Sequence, residues 1–384
     1  MRIALFSDYY LPRLGGIELH VHDLAGRLRH AGHAVTVFTT TAAPAVETGV
    51  VPVIRLPAVA GVPLPVATEL IRNVLASGQY DVLHAHASLV SPLAWAATSI
   101  AASNGVPAII TMHSLPAAGG VLMPWTLARL DRGFGTDVRW SAVSRVVAAE
   151  VRRALPDRPV DLLHNGIDPG PWRQLRRPGH RLTLVSTMRL ARRKRPSALI
   201  RILREVRGQV PSNVPLRAVI VGAGPQATTV ARAVRRTEMT GWVELPGRLS
   251  RFEIQQLYAT ADVYLAPAEL ESFGVAALEA RCAGLAVVAM ASGGVAEFVR
   301  PGVEGLLVDG DREMAIATAG LLTNPSLLRR IQNHNLRTDP VMTWDVVVDQ
   351  HLRAYQGIRT QPALSTDVLA SVPTHLPTIM ELDR

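Results

Sequence analysis

The stretch Pro267–Val288, PAELESFGVAALEARCAGLAVV, decides how this 384-residue chain is read. An acidic loop with Glu269 and Glu271 runs into Ser272-Phe273-Gly274, and a helix of small residues is expected next. Gly284 ends that helix, because glycine readily takes the left-handed backbone of a helix stop, and Leu285–Met290 reads as a buried strand. The helix start near Gly274 and Val275 offers free backbone N–H groups and a partial positive charge, which suits a phosphate. Glu279 follows Glu271 with seven residues between them and is expected about two turns into the helix. Were all those residues helical, the two carboxylates would stand roughly 12 Å apart along the axis. A nucleotide sugar has that spread, with a central diphosphate and hydroxylated rings on both sides. Glu271 could accept hydrogen bonds from the sugar and Glu279 from the ribose.

Upstream, the strand expected at Arg181–Thr187 leads into Met188-Arg189-Leu190-Ala191-Arg192-Arg193-Lys194-Arg195-Pro196. The chain has 40 basic residues, and Lys194 is the single lysine among them. That isolation points to a place where a compact ammonium on a flexible stem does what a planar guanidinium cannot. A solvated basic run or a nucleic-acid patch is the bland alternative. No aromatic residues are interleaved here, and no helix-turn-helix or zinc pattern accompanies the run.

The N-terminus has a similar order. A strand at Arg2–Ser7, a polar loop from Asp8 to Leu14, Gly15-Gly16, a helix from Ile17 to Arg29 and a strand at Ala34–Thr40 make a Rossmann-like opening. The full G-x-G-x-x-G fingerprint is missing, but Gly15 and Gly16 let the backbone approach a phosphate. His84 and His86 end a buried strand that begins at Asp81. They are expected on opposite faces of it, lining the cleft rim and forming no metal pair by themselves. His113 follows the strand Pro107–Thr111, at the end where open α/β sheets place ligand groups. It could donate to a sugar hydroxyl or move a proton at the acceptor.

Pro169–Gly179 reads as a linker, and strand–turn–helix units recur after it. Ser250 and Glu253 form a capping-box pattern. Ser292-Gly293-Gly294 with Glu297 begins another expected helix, and Met342–Gln356 is expected to be the last one. Apolar content of 48% with 18% charged residues describes globular domains with filled cores. A formal charge of +9 suits anionic partners such as nucleotides or phospholipid headgroups. Cys282, the single cysteine, allows no intrachain disulfide and points to a reducing compartment. No long uncharged apolar run appears and the N-terminus does not read as a signal peptide, so a cytoplasmic location is expected.

On these residues the chain resembles the retaining GT-B glycosyltransferases of family 4, the glycosyl transferases group 1 that include bacterial mannosyl- and glucosyltransferases. The resemblance runs from about Arg2 to Gln356 and is strongest from Arg181 to Val308. It implies an α/β fold of two Rossmann-like parallel-sheet domains with a deep interdomain cleft. Residues 1–172 would form the acceptor-side domain, closed by a returning helix at 342–356, and 173–341 the nucleotide-sugar domain. The tail 357–384 would be disordered or lie on the surface. In the family, a Glu-x7-Glu pair in an ESFG-like setting contacts the donor, and Glu271 and Glu279 match it. Arg189 and Lys194 match the family's diphosphate clamp, although Met188 and Arg195 stand where it has glycines.

The implied catalytic residues are His113, Arg189, Lys194 and Glu271. The implied donor-binding set adds Gly15, Gly16, Gly247, Ser272, Phe273, Gly274, Val275 and Glu279. The implied reaction moves a hexose from GDP-mannose or UDP-glucose to an acceptor hydroxyl, on a lipid or cell-envelope glycan, with no required metal or cofactor. Peripheral contact with an anionic inner membrane face is a further implied partnership; nucleic acid is not. The alternatives are a nucleotide-sugar epimerase or phosphorylase of the same fold, or a non-catalytic homologue that binds a nucleotide or a membrane.

Overall fold

A computed structural model describes residues 1–13, 15–42, 49, 51–88, 90–114, 122–177 and 179–359. The tail from residue 360, Leu14 of the glycine loop and residues 115–121 of the segment before the fourth helix lie outside the described residues. Two all-parallel sheets organise the chain. The first contains β1 (Arg2–Ser7), β2 (Ala34–Thr39), β3 (Val53–Arg55), β6 (Val82–Ala87), β7 (Ala108–Met112), β8 (Val138–Ala142) and β9 (Val160–Leu162). The short strands β4 (Ala58–Val59) and β5 (Val62–Pro63) pair as a separate antiparallel hairpin. The second sheet contains β10 (Leu182–Thr187), β11 (Leu216–Val221), β12 (Val243–Gly247), β13 (Val263–Ala266), β14 (Ala286–Met290) and β15 (Gly305–Val308).

The spatial orders are β3-β2-β1-β6-β7-β8-β9 and β12-β11-β10-β13-β14-β15. Each sheet therefore reverses its winding once, between β1 and β6 and between β10 and β13. Such switch points leave a crevice at the carboxyl ends of the strands. Helices cover both faces, so inner strands such as β1, β6, β7 and β14 are buried along nearly their whole length rather than alternating. In β14, Ala286, Val288 and Met290 belong to one core, while Val287 and Ala289 belong to the other. The core that takes Val287 and Ala289 is one with that of the first lobe, and Trp172, Tyr258, Met342 and Trp344 also belong to it.

The helices of the first lobe are α1 (Gly16–His30), α2 (Pro65–Ala76), α3 (Pro92–Ser103), α4 (Leu122–Phe134) and α5 (Arg145–Ala154). Those of the second are α6 (Pro196–Gln209), α7 (Ala227–Arg236), α8 (Arg251–Tyr258), α9 (Val275–Cys282), α10 (Asp311–Thr323) and α11 (Pro325–Arg337). Ser250 and Glu253 close a capping box at the start of α8. At the end of β1, the buried Asp8 carboxylate accepts from the Leu93 and Ala94 amides at 2.8 and 3.2 Å, fixing the start of α3 beside the switch point.

The last helix, α12 (Trp344–Arg359), packs on the first lobe. Ile167 donates to the Met342 carbonyl at 2.9 Å, and Trp344 donates back to the Ile167 carbonyl at 3.1 Å. Gly166 makes this docking possible, since a Cβ there would stand 2.4 Å from the Trp344 ring. The structure corrects three expectations. The segment at Ser292–Glu297 is a short 3-10 turn, Gly294–Glu297, not the start of a full helix. The helix carrying Glu279 begins at Val275, so Glu279 lies about one turn in rather than two. His84 and His86 share a face of β6, because residues two apart in a strand point the same way, and their rings are 4.1 Å apart.

Candidate active site between the two lobes

The site starts at the carboxyl end of β10. Leaving that strand, the chain passes Arg189, enters a 3-10 turn at Arg192–Lys194 and reaches Arg195 before α6. Arg195 takes φ 54° and ψ 44°, the left-handed conformation that glycine adopts freely. Its guanidinium is held by three partners: the Pro267 carbonyl at 2.9 Å, Glu269 at 3.1 Å and Asp311 at 2.8 Å. An arginine thus keeps the backbone shape expected of a glycine, and ties this loop to the one after β13. The turn aims Lys194 at that second loop, where its Nζ lies 2.6 Å from Glu271 Oε2. Both side chains are largely covered, 20% and 17% exposed.

Glu271 is held by its backbone as well. Its carbonyl accepts from the Gly294 amide at 2.8 Å, and the Ser292 hydroxyl donates to the Glu269 carbonyl at 3.1 Å. A Cβ on Gly294 would stand 2.4 Å from the Ser272 carbonyl oxygen, so the close approach needs a glycine. Gly274, at φ 94°, turns the chain into α9, and a side chain there would strike Val295. Phe273 is 2% exposed and packs against Phe298 and, across the lobe boundary, His164. Its ring is a packing group, leaving only its backbone to meet a ligand. Ser272 and Val275 complete the loop and the first turn of α9.

Glu271 and Glu279 stand around one tyrosine. Burial raises the Tyr264 hydroxyl pKa, and the charges of both glutamates add to the rise. That hydroxyl donates to the Thr187 carbonyl at 3.0 Å. Burial also pushes the Glu279 carboxyl up to about 7; Arg251 opposes the shift and Asp23 of α1 adds to it. Arg251 lies 3.9 Å from Glu279 and 3.6 Å from Asp23, bridging the lobes. A cavity of about 520 Å³ opens beside this bridge, lined among others by Asp23, Arg27, Asp168, Arg251 and Trp344.

From the first lobe, Gly15 caps α1 and Gly16 begins it, with open space where a Gly16 Cβ would stand. Two residues on, Glu18 is buried and pairs with Arg13 at 2.9 Å. Burial raises its carboxyl pKa, while Arg13 and, from the second lobe, Arg189 hold back the rise. The charge of Arg189 thus reaches Glu18, in the first turn of α1, across the lobe boundary.

The residues singled out from the sequence do not all meet. Lys194 and Glu271 are in contact, Glu271 and Glu279 both act on Tyr264, and Arg189 acts on Glu18 of the first lobe. Gly247, with φ 79°, ends the edge strand β12, and its carbonyl accepts from Gly222 at 2.7 Å. His113 is 7% exposed and bonds His86 at 2.9 Å, inside a group of histidines. Burial lowers its pKa to about 3, so it is a neutral imidazole near pH 7. Sequence reading missed Glu18, Asp23 and Arg251. Glu18 carried a signal, an acid in the first turn after a Gly-Gly pair; the Asp23–Arg251 bridge exists only once the lobes are placed.

Residues 14–170 match the family model described as Glycosyltransferase Family 4, and residues 173–336 match Glycosyl transferases group 1. The chain is 28% identical to a D-inositol 3-phosphate glycosyltransferase of Catenulispora acidiphila, over 89% of this chain and 91% of that one. It is also 28% identical to a GDP-mannose-dependent alpha-(1-6)-phosphatidylinositol monomannoside mannosyltransferase of Mycobacterium tuberculosis, over 83% and 88%. Among solved structures, Anabaena HepE in complex with UDP superposes with a TM-score of 0.74 at 19% identity, covering 93% of this chain and all of that one. Sucrose-phosphate synthase from Thermosynechococcus elongatus gives 0.71 at 20% identity, covering 93% and 98%. At those identities the superpositions show the fold.

Proposed function

Because this chain belongs to the GT-B glycosyltransferases, with a family 4 module followed by a group 1 module, we propose that it transfers mannose or glucose from a nucleoside-diphosphate donor to an acceptor hydroxyl, with retention of anomeric configuration. The observation that carries the reading is the Lys194–Glu271 pair at the switch point of the second sheet. A departing diphosphate gathers negative charge. In this reading Arg189, Lys194 and the first amides of α9 meet that charge, since fixed cations and dipoles stabilise it without reorganising. On donor binding, Lys194 exchanges its carboxylate partner for phosphate oxygens. Glu271 is then free to accept from the sugar hydroxyls, while Glu279 accepts from the ribose. His113, as a neutral imidazole, can hydrogen-bond a sugar hydroxyl from the first lobe. Closure of the lobes excludes water and limits hydrolysis of the donor.

The acceptor is proposed to be a hydroxyl on a lipid or cell-envelope glycan. The +9 charge supports an anionic acceptor or membrane surface, and the names of the two curated relatives point to phosphate-bearing inositol acceptors. No helix among the described residues is long and apolar enough to cross a membrane. The test is transfer of labelled hexose from GDP-mannose and from UDP-glucose to a lipid extract, with product anomers read by NMR. Labelled product from the wild type and its loss in Lys194→Ala support the reading. Release of free sugar alone, or no turnover of either donor, would count against it.

A further inference from the structure

A second group of chemistry-bearing side chains lies inside the first lobe. His20 on α1, His84 and His86 on β6, His113 after β7 and His351 on α12 pack ring on ring, with centroids 4.1 to 6.2 Å apart. His84 has spent both nitrogens, on Tyr355 at 2.7 Å and Thr111 at 2.6 Å. His351 has spent Nδ1 on the Val347 carbonyl at 2.7 Å. The other three differ. His20, His86 and His113 each bring one ring nitrogen within 4.8 Å of the others, and all three are buried.

Within this triad, polar atoms go unused. Neither nitrogen of His20 and not Nε2 of His86 has a hydrogen-bond partner among the described residues. Leaving such a group unpaired costs about 1–3 kcal/mol, so an imidazole with both nitrogens idle calls for an occupant. The single bond in the triad joins His86 Nδ1 and His113 Nε2 at 2.9 Å, one proton shared between two lone pairs. Around a tetrahedral ion with bonds of about 2.0–2.1 Å, ligand nitrogens stand roughly 3.3–3.4 Å apart. The His86–His113 pair needs to open only slightly. The His20 ring can turn inward without breaking a hydrogen bond.

From this geometry we propose that His20, His86 and His113 form a three-imidazole site for a divalent first-row transition ion of the zinc type, with a fourth position left for water. An all-imidazole set selects zinc, copper, nickel or cobalt over calcium and magnesium, which require oxygen ligands. The ion pins α1, just after the Gly15-Gly16 loop, to the carboxyl ends of β6 and β7. Trp344 stacks on His20 at 5.5 Å and 19°, so it covers one side of the site and reports on it. His113 is shared with the proposed donor site, but the experiment reads ion binding and not transfer, so its failure is distinct from a failure of that reading.

The test uses the full chain stripped with a chelator and dialysed, then titrated with Co²⁺ followed by its visible absorption, and with Zn²⁺ in competition with a chromophoric chelator. The expected result is saturation at one equivalent, with Zn²⁺ displacing Co²⁺. His20→Gln, His86→Gln and His113→Gln should each weaken binding at least about tenfold, and His180→Gln, at an exposed histidine, should not. Should the triad variants fail to fold, the wild type still gives an answer: Co²⁺ should quench the part of the fluorescence that Trp344→Phe removes. Absence of saturable binding, binding that survives all three triad substitutions, or binding lost with His180→Gln would overturn the proposal.

Discussion

At the scale of single residues, the candidate site holds its charges in pairs. Lys194 and Glu271 satisfy each other at 2.6 Å. Lys194→Ala and Glu271→Ala should each lower turnover by about a hundredfold or more, the scale of losing one preorganised electrostatic contact. Melting temperatures should stay near the wild-type value, because neither side chain belongs to a core; normal turnover in both variants would remove the site. Glu279 makes a separate prediction. Its folded pKa of about 7 is raised above the ordinary 4.5, so its stabilising contribution is full below about pH 4.5 and is lost as pH rises through 7. Glu279→Gln should therefore melt higher than wild type at pH 8, with little difference at pH 4.5, and should bind donor more weakly. Equal or lower melting at pH 8 would show that burial is not what perturbs this carboxyl. The Glu271–Glu279 spacing and the lone lysine were legible in the sequence because chemistry ties them to a short stretch. Glu18, Asp23 and Arg251 were not, since their importance comes from partners on the other lobe.

At the scale of elements, loops after parallel strands are shaped by residues that meet backbone. Arg195 shows how the expected glycine is replaced: its left-handed backbone costs about 1–2 kcal/mol, offset by its contacts with Pro267, Glu269 and Asp311. Arg195→Ala keeps the strain and loses the contacts, whereas Arg195→Gly loses both, so the alanine variant should be the less stable by about 1 kcal/mol in urea titration. The reverse order would mean that the backbone is not strained. Gly166→Ala should cost about 1–3 kcal/mol by forcing Trp344 from its seat. The order of strands and helices was readable because buried parallel strands are plain apolar runs between glycine and proline stops. Errors fell where tertiary contact decides. The turn at Gly294 stays short because it packs on Ser272 and Phe273, and α9 starts late because Gly274 is left-handed. The placement of His84 and His86 followed from strand geometry wrongly applied, and the observed pairing of their rings reverses it.

At the scale of the whole molecule, two sheets with facing switch points make one crevice, and polar bridges already span it. His164 meets Glu297 at 2.9 Å, and Arg251 reaches both Asp23 and Glu279. α12 returns to the first lobe and makes Trp344 part of a shared core, so the lobes are joined by packing at one end and by exchangeable charges at the other. The two-lobed plan was visible in the sequence as a repeated strand–loop–helix order. A cleft between them was expected from the family resemblance, but the side chains that bridge the lobes, Asp23 and Arg251, were not, because their pairing needs both lobes at once. The central claim is that the second lobe grips a diphosphate with Lys194 and its neighbours. Calorimetric titration of UDP and GDP into the wild type and into Lys194→Ala tests it most directly. One nucleotide per chain should bind the wild type, with affinity at least about tenfold weaker in the variant, the scale of a lost charge-assisted contact. Equal affinity in the two proteins would contradict the claim.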